Sequence, residues 1–529
     1  MSKKDFKEKQ RERQIKLQRS EEAQQKRKEA EAKKTPRSLP KKKIFLTIFL
    51  IAIVFGVILV WQFGIKTFTP ISIKSDGTIV PSTGNIINLD NSRYTFTADI
   101  FGSIIVERDN IVIDGANHLL YGETNTNTTG IKLDGRSNVT ISNLRLNEYQ
   151  YGIFVKSGSN IIISQNDFTN KYDIDFRYGI GFESCSFSTV IENNISDFYG
   201  AILLAQSSNN QITKNNLNNN NVSLNLDYGS STNHISGNVI ANGEEAIFVS
   251  KSSNNNNISD NDIQNNNGAI MLDQSLNNSV VGNKISNCNL AIGVNYASDN
   301  RIIDNEVVTT DVGISVFLNS ESNTIYGNTI QNGETAIRLT LSSNNNNIFE
   351  NDLQTNTEGI TINDCSGNSI SANKITDCDG AIGLISASNN LINGNNITDN
   401  QYSIDITLDS NTNTISNNDI KNSDVAIGFT SALYNQITGN NIIDNEFGVY
   451  LNASSENNIF SNNFLNNTNQ AFSLGSPNSW NDQNLGNFWS DYQEKYPNAQ
   501  IVDQSGTWDT PYILDESNKD NHPLVNLAT

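Results

Sequence analysis

The pattern N-x-I-x-x-N-x-I/L, with Val or Leu as occasional substitutes, returns along this chain every 22 or 23 residues. It starts at Asn210, Asn233, Asn256, Asn278, Asn300, Asn323, Asn346, Asn368, Asn390, Asn413, Asn435 and Asn457. Fourteen residues after these asparagines, up to Asn435, comes an apolar residue, and a second follows two later: Ile270 and Leu272, Ile314 and Val316, Ile360 and Ile362, Ile427 and Phe429. That distance is constant. The one-residue variation in period therefore falls between the last strand and the next asparagine, as in "NDCSG" against "TLSSNN". Self-similarity at a fixed period specifies a solenoid in which each repeat buries its apolar face against its neighbours. Even "NNNNIFENDL", from Asn344 to Leu353, is one line of this design and not low complexity.

Each repeat predicts three short strands, around the first Ile, around the second, and at a G/A-I-x-L run of period 2. A leucine-rich repeat shares the period but needs a helical half, which the G/A-I-x-L run excludes. The expected fold is thus all-β, a right-handed parallel β-helix of the pectin-lyase-like kind with 22-23-residue coils. Stacked coils lie about 4.8 Å apart, so equivalent residues form columns along the axis. Asn215, Asn238, Asn261, Asn283, Asn305, Asn328 and Asn351 form one such column at a bend, where an amide can donate to one coil and accept from the next. These asparagines read as structural.

Degenerate copies extend the register upstream, from "NIVIDGANHLL" at Asn110 and "NVTISNLRL" at Asn138, giving about sixteen coils, or roughly 75 Å of rod. The one sizeable insertion is "NKYDIDFRYG", Asn170 to Gly179. The ends differ in charge. Residues 1–43 hold 17 Lys and Arg against 7 Asp and Glu, and the other 486 residues hold 19 against 49. Between the two lies "IFLTIFLIAIVFGVILVWQF", residues 44–63, uncharged and long enough to cross a bilayer as a helix. Lys41, Lys42 and Lys43 precede it, which by the positive-inside rule puts the N-terminus in the cytoplasm and the acidic bulk outside. No A-x-A-like cleavage site follows the run, so it reads as a retained anchor. The expected organisation is a basic cytoplasmic segment 1–43, a transmembrane helix 44–63, a linker and N-terminal cap 64–105, β-helix repeats 106–470 and a C-terminal cap 471–529. Localisation is expected at the cell membrane, with a single pass and an extracellular C-terminal domain. The basic segment lacks the aromatic interleaving or fold that nucleic-acid binding needs.

"IKSDGTIVPSTGNIINLDNSRYTFTADIFGSIIVERDNIVIDGANHLLYG" (Ile73 to Gly122), the repeats themselves, and "GNFWSDY" with "DTPYILDESNKDNHPL" near the end together resemble archaeal surface proteins of the NosD-type, described as periplasmic copper-binding, within a wider group of carbohydrate-binding and sugar-hydrolysing β-helices. The resemblance covers residues from about 70 to 529. It implies the β-helix fold and cell-surface placement, and it raises copper and catalysis as questions for the residues. Copper sites use His, Met and Cys, and here His118, His234, His522, Met271 and four cysteines stand apart. Cys288 and Cys378 lie four coils apart and Cys185 and Cys365 eight, too far for disulfides, so they read as unpaired wall residues. The best carboxylate group is Asp173, Asp175 and Glu183, with Arg177 and Tyr178 beside them. Paired carboxylates could act as acid and base at a glycosidic bond, and solvated charge on a long turn is the plainer reading.

A binding face has its own signal. The outward position after the first Ile holds Val281, Ile303, Tyr326 and Phe349 in consecutive coils, an apolar stripe on a polar wall. A second outward column carries Leu203, Phe248 and Met271. In the tail, Trp480, Trp489 and Trp508 suit a cap over the last open coil. "VDQSGTWD" leaves Asp503, Ser505 and Asp509, oxygen ligands of the kind calcium takes but short of a full loop. Nine N-x-S/T sequons occur, among them Asn194, Asn257 and Asn396. The expected function is a surface-anchored β-helix that binds polysaccharide or glycoprotein, or serves a structural and adhesive role. The alternatives are a membrane-tethered polysaccharide lyase or hydrolase, and a copper accessory protein.

Overall fold

The computed structural model describes residues 68–122, 128–170, 176–474, 477–502 and 506–528. The chain divides into Met1–Lys66, which falls outside them, and Thr67–Thr529. The expected basic segment and membrane span therefore lie outside the described residues. Among the described residues no helix is long and apolar enough to cross a membrane.

Thr67–Thr529 is an all-β solenoid whose strands pair in parallel from one coil to the next. Each coil makes three strands, as in Asn257–Ser259, Asp262–Gln264 and Gly268–Asp273. We call the three resulting sheets the entry, middle and long sheets. Their registers hold the columns expected from the period: Ile258 pairs with Val280, Ile263 with Ile285, and Ile270 with Ile292. The coils begin before residue 106, because Thr69–Ile73 pairs in parallel with Ile100–Val106 and Arg93–Phe96 with Ile111–Asp114.

The core is what the alternation demands. Ile235, Ile258, Val280, Ile302 and Ile325 form one inward column, all at 0% exposure. Each such side chain contributes on the order of 1.5–3 kcal/mol by leaving water. Their neighbours along the strand point outward, so the wall's two faces are set by period 2.

The bends carry the asparagines. Asn238 Nδ2 donates to Asn261 Oδ1 at 2.9 Å and to Ile212 O at 2.9 Å, while the Asn238 backbone N–H donates to the same Asn261 Oδ1 at 3.0 Å. The same arrangement repeats down the column through Asn283, Asn305, Asn328 and Asn351. A second column runs through Asn233, Asn256, Asn278 and Asn300 before the entry sheet. A third, which the sequence reading did not separate, holds Asn220, Asn266, Asn356, Asn400 and Asn445 at the bend before the long sheet. Cys288 and Cys378 occupy that third column, and the Cys378 N–H donates to Asn400 Oδ1. Cys185 sits in a serine column, its N–H bonded to Ser207 Oγ. All four cysteines are free and buried, as the coil arithmetic required.

Most bends also pass through the left-handed region, at residues as bulky as Tyr228 (φ 52°) and Tyr434 (φ 58°). Because this happens in nearly every coil, it belongs to the architecture and marks no single site.

At the C-terminal end Trp480 and Trp489 are fully buried. Trp489 stacks on Phe464 at 4.4 Å and on Tyr512 at 4.1 Å, and so covers the last open coil. One short helix, Tyr492–Lys495, lies in this cap.

Candidate functional site: an aromatic groove on the long sheet

Three outward positions of each long strand form the wall's most varied face. Near its N-terminal end, Tyr151 pairs with Tyr178, Tyr178 with Gly200, Phe154 with Gly181, and Gly181 with Leu203. The glycines let the rings lie down. A Cβ on Gly181 would come 2.8 Å from the Tyr151 ring and 3.0 Å from Phe154, and one on Gly200 would strike Tyr178. Tyr151 and Tyr178 are parallel at 5.4 Å, and Tyr199 meets Tyr178 edge-on at 5.9 Å. Small residues and rings together leave a groove of about 410 Å³, with Tyr151 and Phe154 at one end, Leu203 and Ala205 on the floor, and Tyr228 at the other.

The polar rim is made of ion pairs. Lys156 Nζ lies 2.7 Å from Glu183 Oε1 and Lys251 Nζ 2.8 Å from Asp227 Oδ2. Lys251 also sits 4.1 Å above the Tyr228 ring, a cation–π contact that holds this exposed ring in place. Burial, together with the neighbouring Tyr151, Tyr199 and Asp227, pushes the Tyr178 hydroxyl up to about 12, so it stays a donor at neutral pH. Aromatic planes beside paired donors and acceptors suit a ligand that is apolar on its faces and hydroxylated at its edges.

The residues singled out from sequence fall as follows. Glu183 is on the groove rim and committed to Lys156, while Asp173 and Asp175 lie outside the described residues. Arg177 is buried at 3% exposure; its Nη1 donates to Asn170 Oδ1 at 3.2 Å and lies 3.6 Å from Glu148 Oε2. Among the described residues its guanidinium is held between Asn170 and Glu148. Val281, Ile303, Tyr326 and Phe349 do form a column on the entry sheet. Tyr326 and Phe349 stack face to face at 4.9 Å and 10°, much as Tyr151 and Tyr178 do, and Ile303 is buried. Leu203 belongs to the groove, whereas Phe248 and Met271 continue its column beyond it.

Asp503 and Ser505 lie outside the described residues. Asp509 Oδ1 accepts from the Gln500 N–H at 2.9 Å and from Thr510 Oγ1 at 2.9 Å, which ties a turn of the cap. Copper does not fit the residues present. His118 faces Asp99, His234 faces Asn257, and the thiols bond to wall carbonyls such as Val155 O and Asn363 O. Among the described residues no three His, Cys, Asp or Glu side chains group to hold a metal ion.

The sequence reading passed over Tyr151, Phe154, Gly181, Gly200 and Tyr228. The available signal was an aromatic in one long strand facing a glycine in the next, obscured because the insertion stretches that coil to 27 residues.

Comparison with known proteins agrees with this architecture. Residues 129–282 and 267–364 match the right handed beta helix region, and residues 329–494 match the periplasmic copper-binding protein (NosD) family. No curated protein sequence matches the chain. Solved structures that resemble it include DFA-IIIase from Arthrobacter chlorophenolicus A6 in complex with GF2, at 13% identity over 54% of this chain and 83% of that one, TM-score 0.37. The periplasmic alginate epimerase AlgG T265N mutant overlaps at 12% identity over 72% and 88%, TM-score 0.31. The tailspike of E. coli bacteriophage HK620 in complex with hexasaccharide does so at 14% over 65% and 69%, TM-score 0.34. None of these three reaches a TM-score of 0.5, and no residue role is carried over from them. The described residues thus form a parallel β-solenoid in which residues 129–364 are similar to the right handed beta helix region and residues 329–494 to the NosD family.

Proposed function

We propose that the protein binds polysaccharide along the outer face of its long sheet, in the groove between Tyr151 and Tyr228. The observation that carries this is Tyr151 and Phe154 laid over Gly181 at the end of an open groove floored by Leu203 and Ala205, which gives sugar rings an aromatic wall and an apolar floor. Aromatic groups that keep a polar handle are the usual surface for ligands of mixed character. The apolar run 44–63 and the basic segment before it support placement at a cell surface, with the solenoid outside. Glu183 is the one carboxylate lining the groove among the described residues, and it is paired with Lys156, which supports binding over hydrolysis or elimination at this site.

Retention of the full chain on immobilised polysaccharides tests the reading, with assay of new reducing or unsaturated ends in the same tubes. Retention that falls at least tenfold in Tyr151→Ala, without new ends, is the expected result. New ends lost in Glu183→Gln would make the protein an enzyme.

A further inference from the structure

We infer that this groove takes an uncharged polysaccharide and rejects polyuronates, an inference that rests on the glycan reading above. The rim is closed on itself electrostatically. Lys156 is held by Glu183 and Lys251 by Asp227, and one coil further out Lys132 and Asp134 stand on the same strand face, paired in register with Phe154 and Lys156. These six charges cancel. The two lysines at the groove itself, Lys156 and Lys251, are already matched at 2.7 and 2.8 Å by carboxylates of the protein, and Lys132 stands one coil beyond them with Asp134 on the same face. An anionic ligand would have to displace that partner and leave it facing the ligand's own charge.

The surroundings act in the same sense. Beyond the basic N-terminal segment the chain carries 49 acidic against 19 basic residues, a field that repels polyanions before contact and is screened only beyond about a Debye length. A neutral glycan meets neither obstacle. Its hydroxyls can donate to Glu183 without breaking that residue's pair with Lys156, and Gln206 on the rim adds an amide, while Asp227 is buried and filled by Tyr228 N–H, Ser250 and Lys251. The coil spacing of about 4.8 Å is close to the length of one pyranose unit, so a chain laid along the axis meets one coil per sugar.

The experiment is a titration of the full chain with uncharged glucans, mannans and galactans and with alginate and polygalacturonate, at low and raised ionic strength. The expected result is binding of an uncharged chain with little salt dependence, and polyuronate binding at least tenfold weaker. Glu183→Gln with Asp227→Asn, which leaves both lysines uncompensated, is expected to raise polyuronate affinity at least tenfold at low salt. If that pair melts early, Glu183→Gln alone at its half-exposed position makes the same comparison. Polyuronate bound by the unaltered chain as tightly as any neutral glycan overturns the selectivity and leaves glycan binding standing. A folded variant that gains no polyuronate affinity overturns the role given to the ion pairs. Failure of every polysaccharide to bind removes the selectivity and the binding function together.

Discussion

The Asn487 backbone N–H donates to Asp520 Oδ2 at 2.7 Å, so the ladder that runs through Asn440 and Asn462 ends on a carboxylate. Trp489 Nε1 donates to the same oxygen at 2.9 Å, and the His522 N–H to Oδ1 at 2.9 Å. Asn518 continues the neighbouring column, accepting from the Asn478 N–H and Trp480 Nε1 and donating its Nδ2 to Asp515 at 3.0 and 2.8 Å, so that column too ends on a carboxylate. A stack of amides, each accepting from the coil before it, must end in a group that accepts and need not pass a donor onward. The cap supplies both terminators from one short stretch of chain.

That terminator makes the cap sensitive to pH. Burial at 0% exposure pushes the Asp520 carboxyl up to about 6 from 3.8, against the pull of its donors. A carboxyl raised in the folded state binds its proton more tightly there than when unfolded. Its favourable contribution is therefore complete below about 3.8 and lost as pH rises through about 6, a difference of roughly 3 kcal/mol. Thermal melting across pH 4–7 is expected to show a downward trend that Asp520→Asn flattens; parallel curves for the two proteins would refute it.

Asn283→Ala tests the ladder. It removes the acceptor of the Asn261 N–H and Nδ2 groups, at 3.0 and 2.9 Å, and the donor to Ile258 O. With about 1–3 kcal/mol for each buried group left unsatisfied, the loss should reach about 3–5 kcal/mol in urea unfolding. Lys284→Ala, exposed one residue later, should stay within about 0.5 kcal/mol.

Gly181→Ala tests the groove without deleting an aromatic. The new methyl would come 2.8 Å from the Tyr151 ring and 3.0 Å from Phe154, both of which line the groove, and Gly181 needs no left-handed backbone. Calorimetry with the retained glycan should show affinity falling about tenfold while the melting temperature moves little. Unchanged affinity would mean the tyrosine's place does not matter.

Tyr326→Ala with Phe349→Ala should behave in the opposite way. These rings contact each other at 4.9 Å, so removing both should cost up to about 1 kcal/mol of stability and leave glycan retention intact. Loss of retention in a folded double variant would move the binding face to the entry sheet.

The thiols should be inert. Burial pushes Cys185, Cys365 and Cys378 up to about 11, and Cys288 in the same direction. A thiolate reagent at neutral pH is expected to label none of the four before denaturant is added and all of them afterwards. Labelling in the native state would show that the wall opens.

The solenoid was legible because its determinants are local and periodic. An Ile every coil at one inward position, such as Ile302 and Ile325, and an Asn at a bend, such as Asn305 and Asn328, state the period, the strand faces and the structural role of the amides without any coordinates. The groove was not legible in that way. Whether Tyr151 covers Gly181, or Tyr326 instead meets Phe349, depends on what the adjacent coil offers 22 to 27 residues away and on which way each ring falls. Likewise no local pattern announces that Asp520 will receive the last rung from Asn487 across 33 residues of cap. The sequence alone determined the repeat, the inward columns and the asparagine ladders of the first two bends, since period and polarity are properties of the chain. Only the tertiary structure decided which outward residues enclose space, because a groove is the shape left between side chains of different coils once close packing has settled them.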